Sequence, residues 1–264
     1  MKILSYNLYG KKETNLAIPD FDTRIKNLTT IINNIIKEDK IDVMCFQEVN
    51  DNNLKFVEEI SNNNGYIVVN KFPMRTRTIN QYNIIAIKKS ADLKMNNIIC
   101  IPHGKDEKYK SINDQVIDYG MSDYRTTVCA DINYKNKKYL ISNVHTDHLS
   151  LEGRIKGLNK SLKVMESINC DYRIIVGDMN MEMDSDDAIE VLKQNPNYTI
   201  LKNKSNNIVR HSYHGYNLNG PYNVDFAFIE KSKINCYNYK IIRQDDIMKE
   251  GSDHRPIIIE IDEK

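Results

Sequence analysis

The chain has 264 residues, 41% hydrophobic and 28% charged, which supplies a sizeable core and a solvated surface and excludes a disordered chain. Its 37 basic and 36 acidic residues leave a net charge of +1, so no global positive field attracts nucleic acid or an anionic membrane, and a polyanion must be held by a local patch or a metal. Five cysteines, odd in number, widely spaced and without a CxxC pair, read as reduced thiols of a cytosolic protein, neither a disulfide framework nor a zinc site.

The N-terminal residues show neither the apolar stretch nor the small-residue cleavage site of a signal peptide, and no apolar run is long enough to span a bilayer. The expected location is therefore cytoplasmic. Residues 3–8 read as a strand ending at Asn7, Tyr9 and Gly10, with a loop to about Pro19. From Asp22 a helix is expected, because Ile25, Leu28, Ile31, Ile32, Ile35 and Ile36 recur at helical spacing and Asp22 or Thr23 can cap it. Residues 41–46 form a short buried strand that stops at Gln47-Glu48-Val49. A second helix covers 54–60. Strands follow at 66–69 and 82–87, with a basic loop at 71–77 between them and a polar, irregular loop at 102–124. Residues 126–132 and 139–144 have a hairpin pattern with its turn at 133–138, and the second strand runs into His145-Thr146-Asp147-His148. A helix over 151–168 places Ile155, Leu158, Leu162 and Met165 on one face. A strand at 174–176, a short helix at 186–193, a polar aromatic stretch at 203–222, strands at 224–229 and 234–242, and a final strand at 256–261 complete the chain. No repeat or linker interrupts it, so residues 1–264 read as one domain, an α/β fold of two packed sheets flanked by helices.

The strand at 174–176 ends at Gly177-Asp178-Met179-Asn180. Asp178 can hold a metal or activate water, and Asn180 can bond a phosphate oxygen; a local Asx-type turn accounts for the same residues. Other strands end in the same way, at Asn7, Glu48, His145, Asp225, Asp253 and His254. Asp225 lies inside an apolar run, where a carboxylate needs a partner. Carboxylates suit a hard cation, amides suit phosphate oxygens, and an Asp–His pair handles protons or stabilises phosphate.

Six segments share one order: SYN at 5–7, FQEV at 46–49, NVHTDH at 143–148, GDMN at 177–180, VDFAFI at 224–229 and SDHRPI at 252–257. In these the sequence resembles the endonuclease/exonuclease/phosphatase superfamily with the DNase-I-like fold. The resemblance implies a four-layer α/β sandwich of two mainly antiparallel sheets flanked by helices. It also implies phosphoester hydrolysis dependent on Mg²⁺ (or Mn²⁺). Within the match, Glu48 looks like the principal metal ligand with Asn7 and Asp253 near it. Asp178 looks like the residue that orients and deprotonates water, and Asn180 would hold that water and a phosphate oxygen. His254 backed by Asp225 would stabilise the phosphorane-like state, and His145 would contact the phosphate from the other side. The segments around 145–154 and 212–216 look like a small bacterial branch. The absence of Trp and the His at 145 depart from apurinic endonucleases. Glu182 has no counterpart in the pattern and reads as a solvated carboxylate.

Three functions follow as expectations. The first is a phosphodiesterase acting on nucleic acid or a nucleotide, with the 71–77 loop and the tyrosines at 213–222 as contacts. The second is a phosphatase or phosphodiesterase on a small or lipid-derived phosphate, which the near-neutral charge favours. The third is a non-catalytic scaffold of the same fold, against which the full set of reactive residue types speaks. Arg154, Tyr213 and His214 are weaker candidates for substrate contact; Arg154 equally reads as a helix-surface residue or a brace for the site loop. No obligate protein partner is evident.

Overall fold

Strands that are apolar on both faces need cover on both sides. The computed structural model describes residues 1–11, 18–75, 79–104, 117–202, 211–216, 222–244 and 246–262. Its elements are β1 (Lys2–Asn7), α1 (Phe21–Asp39), β2 (Val43–Asn50), α2 (Leu54–Asn63), β3 (Tyr66–Val68), β4 (Pro73–Arg75), β5 (Asn80–Lys88), β6 (Leu93–Pro102), β7 (Thr126–Tyr134), β8 (Lys137–His145), α3 (Leu151–Glu166), β9 (Tyr172–Asp178), α4 (Asp186–Gln194), β10 (Tyr198–Ile200), β11 (Asp225–Glu230), β12 (Tyr237–Ile241) and β13 (Ile257–Ile261). One sheet runs β12-β13-β1-β2-β5-β3, with β4 also on β5; the other runs β10-β11-β9-β8-β7-β6. Within each sheet one pairing is parallel, β1 with β2 and β8 with β9, and the other described pairings are antiparallel.

Alternation along the strands assigns the layers. Ile3, Val43, Cys45, Ile85, Ile141, Ile174, Val176 and Ile259 meet in a core between the sheets. Their neighbours Leu4, Tyr6, Met44, Phe46 and Ile84 pack under α1 and α2. On the far side Leu140, Val144, Ile175 and Phe226 pack under α3 and α4. Helix, sheet, sheet and helix thus form the expected four layers.

Several boundaries differ from the sequence expectation. Helix α1 is capped by Asp20, whose carboxylate accepts from the Thr23 N–H at 2.9 Å and its hydroxyl at 2.7 Å, in place of Asp22 or Thr23. Strand β6 was not expected, because its middle residues are polar and exposed and it carries a bulge between Met95 and Asn97. Strand β10, three residues long, was too short to leave a pattern. Part of the expected basic loop is β4, and a 3-10 turn at Lys231–Cys236 occupies the start of the strand expected from 234. The β7–β8 hairpin turns at Lys135 and Asn136, both left-handed with φ 45 and 64, as the twist of a two-residue turn requires. Among the described residues no helix is long and apolar enough to cross a membrane.

Two backbone features aim the strand ends. Regular alternation would point Glu48 with Met44 and Phe46 toward the helices. A bulge between Phe46 and Val49 intervenes, and Glu48 sits at φ 52, so Val49 returns to the helix side and Glu48 turns to the mouth of the inter-sheet layer. Gly177 has φ +149, and a Cβ there would lie 1.9 Å from the carbonyl oxygen of Val144 on β8. Only glycine lets β9 approach β8 so closely just before Asp178. Below this end the sheets are joined by amides. Gln47 Nε2 donates to Asn143 Oδ1 at 2.7 Å, and Asn143 Nδ2 donates to the carbonyls of Phe46 and Ile84 at 2.9 and 2.8 Å, with both side chains fully buried.

Gly177→Ala is expected to destabilise the protein by about 3 kcal/mol or more, since the collision is with backbone and the dihedral is strained. Urea unfolding of the variant measures this; a midpoint equal to the parent's would contradict the close approach.

Candidate active site

The strand directions concentrate polar side chains at one edge. In the second sheet, Asp178 at the end of β9 has His145 of β8 and Asp225 of β11 as its register partners on either side. Because β11 is antiparallel to β9, its first residue reaches the same edge as the last residues of β8 and β9. The first sheet contributes Asn7 from the end of β1 and Glu48 from the bulge. Asp253 and His254 come from the loop ahead of β13, which is antiparallel to β1. That loop is stapled by residues 211–216: His214 and Gly215 donate their N–H groups to the Asp253 carbonyl at 2.9 and 3.2 Å. Ser212 Oγ in turn accepts from the Asp225 N–H at 2.9 Å.

Asp178 Oδ2 is the meeting point. Asn7 Nδ2 donates to it at 2.9 Å, His145 Nε2 lies 3.5 Å away and His254 Nε2 3.7 Å away. Asp178 Oδ1 accepts from the Asn180 N–H at 2.9 Å, with Asn180 left-handed at φ 47 and its Nδ2 donating to the Thr146 carbonyl at 2.9 Å. His254 Nδ1 meets Asp225 Oδ2 at 2.8 Å. Burial pushes the Asp178 carboxyl up to about 7 against the pull of His254, and pushes Asp253 up to about 6. His254 is held well above the usual imidazole range: burial opposes its charge, but Asp225 and Asp178 outweigh burial. His145 is driven the other way, well below that range, by burial and then by Arg125.

These residues open into a cleft of about 610 Å³ with Glu48, Asp178 and Asp253 at its base and Tyr9, Lys11, Arg125, Tyr213 and Tyr222 among its walls. Arg24 of α1 holds one wall by donating to the carbonyls of Tyr9, at 2.6 Å, and Lys11. The base fits a hard divalent cation. Glu48 Oε2 is buried without a hydrogen-bond partner, and ligand atoms of Glu48, His145 and Asp178 lie within 4.8 Å of one another. Asp178 and Asp253 are buried carboxyls raised by that burial, and carboxylate oxygens are the donors such a cation prefers. Asn7, expected near the ion, presents its amide nitrogen to Asp178 and, at 3.3 Å, to Glu48, while its Oδ1 accepts from the Tyr9 N–H at 3.0 Å. In this arrangement the Asn7 amide nitrogen is a donor to two carboxylates.

The weaker candidates separate. Tyr213 lines the cleft, its ring centroid 4.8 Å from that of His254, and it pairs through its backbone with Tyr222. His214 lies behind the wall, its Nδ1 accepting from the Tyr216 N–H at 3.1 Å, and burial lowers it to about 3. Arg154 is outside the cleft and braces the site loop by donating to the Asp147 carbonyl at 3.1 Å and to Asp187 at 3.0 Å. Lys71 pairs with Glu58 and is not in the cleft wall; residues 76–78 and most of 203–221 lie outside the described residues. Glu182 is tied down, accepting from the Asn223 N–H at 3.1 Å, so it is more than a solvated carboxylate. Sequence reasoning missed Arg125. The hairpin ladder pairs Thr127 with Val144, so counting on from the turn sets Thr126 across from His145 and Arg125 one residue beyond it.

The raised Asp178 value fixes a sign. Between its ordinary 3.8 and about 7 the unfolded chain has lost a proton that the folded chain keeps, so this carboxyl makes stability fall as pH rises through that window. In chelator, the unfolding free energy of the wild type relative to Asp178→Asn is therefore expected to decline across that range. Added Mg²⁺ should reduce the decline. A flat difference in urea titrations at several pH values would contradict the burial argument.

The fold matches known proteins along nearly its whole length. It aligns with an endonuclease/exonuclease/phosphatase from Bacteroides vulgatus at TM-score 0.79 and 16% identity, over 99% of this chain and 98% of the other. It aligns with a mannosyl-6-phosphatase from Bacteroides thetaiotaomicron at 0.73 and 15%, over 99% of each chain. It also aligns with D. rerio TDP2 complexed with a single-strand DNA product at 0.69 and 15%, over 98% of this chain and 97% of the other. At these identities the likeness is one of fold. No curated protein matches the sequence significantly. Residues 4–254 match the profile of the Endonuclease/Exonuclease/phosphatase family, which takes in five of the ordered segments and the start of the sixth, and the chain belongs to that family.

Proposed function

We propose that the protein is a divalent-metal-dependent phosphoesterase that hydrolyses a phosphodiester of nucleic acid or a nucleotide. The observation that carries this is the convergence on Asp178 of Asn7, His145 and His254, with the Asp225–His254 pair at 2.8 Å. Glu48 and Asp253 would hold Mg²⁺ or Mn²⁺, which when bound supplies Lewis-acid stabilisation of charge on the leaving oxygen. Asp178, with its carboxyl near 7, is matched to take a proton from an attacking water at neutral pH. The water oxygen forms a bond to phosphorus as the ester P–O bond breaks. His254, kept cationic by Asp225, donates from Nε2 to a phosphate oxygen, and His145 donates to another. Asn180, fixed by Thr146, orients the water or a phosphate oxygen.

The Tyr213–Tyr222 pair beside His254 supports a planar base or a sugar next to the phosphate. A second reading, a phosphatase or phosphodiesterase on a small or lipid-derived phosphate, is favoured by a different observation. Lys71 pairs with Glu58 away from the cleft, and among the described residues Lys11 and Arg125 are the basic side chains in its wall. A non-catalytic scaffold gives no reason for a buried cluster of raised carboxyls, which costs stability unless it is used.

Hydrolysis of a generic phosphodiester is expected to require Mg²⁺ or Mn²⁺ and to fall about 10²–10⁴-fold in Asp178→Asn and in His254→Ala. Turnover that survives chelation, or both substitutions, would overturn the assignment. A panel of single- and double-stranded DNA, RNA, nucleotides, inositol phosphates and sphingomyelin separates the two readings. Salt-sensitive cleavage of nucleic acid supports the first, and activity confined to small or lipid phosphates supports the second.

A further inference from the structure

Two buried histidines face the same carboxylate, and their far ring nitrogens are held by groups of opposite charge. His254 Nδ1 meets a carboxylate, Asp225 Oδ2, at 2.8 Å, whereas His145 Nδ1 meets a guanidinium, Arg125 Nη1, at 3.1 Å. A guanidinium has only donors. His145 Nδ1 must accept, so it carries no proton, and the single ring proton sits on Nε2, the nitrogen 3.5 Å from Asp178 Oδ2.

Arg125 is placed to enforce this. Its side chain is 4% exposed, and the residue leads directly into β7, the strand paired with the one that ends at His145. Its carboxylate neighbours are distant, with Asp123 at 3.7 Å and Asp147 at 3.9 Å. Asp147 Oδ2 is already engaged by the N–H and hydroxyl of Ser122, at 2.7 and 2.8 Å. Arg125 Nε has no hydrogen-bond partner. The bond to His145 is thus the one hydrogen bond that the Arg125 side chain makes among the described residues, beside its two longer ion-pair contacts. Burial and the nearby Arg125 charge both oppose a second proton on His145, in agreement with the geometry.

We propose that Arg125 is a positioning residue that holds His145 as the ring protonated at Nε2, making it a fixed hydrogen-bond donor into the cleft, while the Asp225 carboxylate calls for a proton on Nδ1 of His254. Two chemically equal side chains are thereby given different duties by their outer partners. The tautomer stands on this geometry; that His145 Nε2 then meets a phosphate oxygen rests on the functional reading above.

The test is a long-range ¹H–¹⁵N spectrum of the full chain labelled in histidine, with His145 assigned by its loss in His145→Gln. The wild type is expected to show an unprotonated Nδ1 and a protonated Nε2. Arg125→Met should convert His145 to mixed tautomers or to the imidazolium, and Arg125→Lys, which restores a donor, should return it to the Nε2–H form. If the protein hydrolyses phosphoesters, Arg125→Met should lower kcat roughly tenfold with KM little changed, as expected for an interaction that matters in the transition state. A wild-type ring protonated at Nδ1, or a tautomer unchanged in folded Arg125→Met, would overturn the proposal. The wild-type spectrum decides the tautomer even if the methionine variant does not fold. It does so whether or not any ester is cleaved, so failure here is distinct from failure of the phosphoesterase assignment.

Discussion

A single carboxylate oxygen, Asp178 Oδ2, gathers side chains from both sheets and from the loop before the last strand. Burying an acid among other acids is unfavourable unless something answers it. The fold answers with one amide and two imidazoles, arriving from three separate elements. Asn7 and His254 reach Asp178 only if the two sheets close at the right spacing, and His145 reaches it because β9 presses against β8. That last contact passes through Gly177, where any side chain would meet the Val144 carbonyl.

The spacing is set just below the site. The inter-sheet layer is apolar along most of its depth and changes to amides at Gln47 and Asn143 before it becomes ionic at Asn7, His145, Asp178 and Asp225. Asn143 spends both amide hydrogens on carbonyls of the opposite sheet. A buried amide pair of this kind is directional where hydrocarbon contact is not, so it fixes the height of one sheet over the other. The reactive side chains thus stand on strand ends, and residues 211–216 mainly position the Asp253–His254 loop.

Much of this was legible in the chain. The helices at 21–39, 54–63 and 151–166 declare themselves through apolar spacing, and the buried strands through short apolar runs that stop at polar residues. The six ordered segments gave the family and nearly all the residues that meet at Asp178. What escaped has specific causes. Period-two reasoning cannot see that Glu48 reaches the cleft only because a bulge reverses the alternation. The β6 strand is masked by exposed lysine and asparagine. Arg125 belongs to no segment of the family pattern and acquires meaning only from the contact of its side chain with His145. The direction in which the Asn7 amide faces is set by the Tyr9 N–H, a contact that residue types do not reveal.

The bulge at Glu48 also governs how the chain tolerates changes in length. Substitutions in a strand alter one side chain at a time, but a missing residue shifts everything beyond it by one step. Between Phe46 and Val49 the count itself places one acid in the cleft and one valine under the helices. Deleting Gln47 would restore a regular pleat and put the acid where the buried amide now joins the two sheets. A better-formed strand would therefore yield a worse site, and the spelling of this segment matters no more than its number of letters.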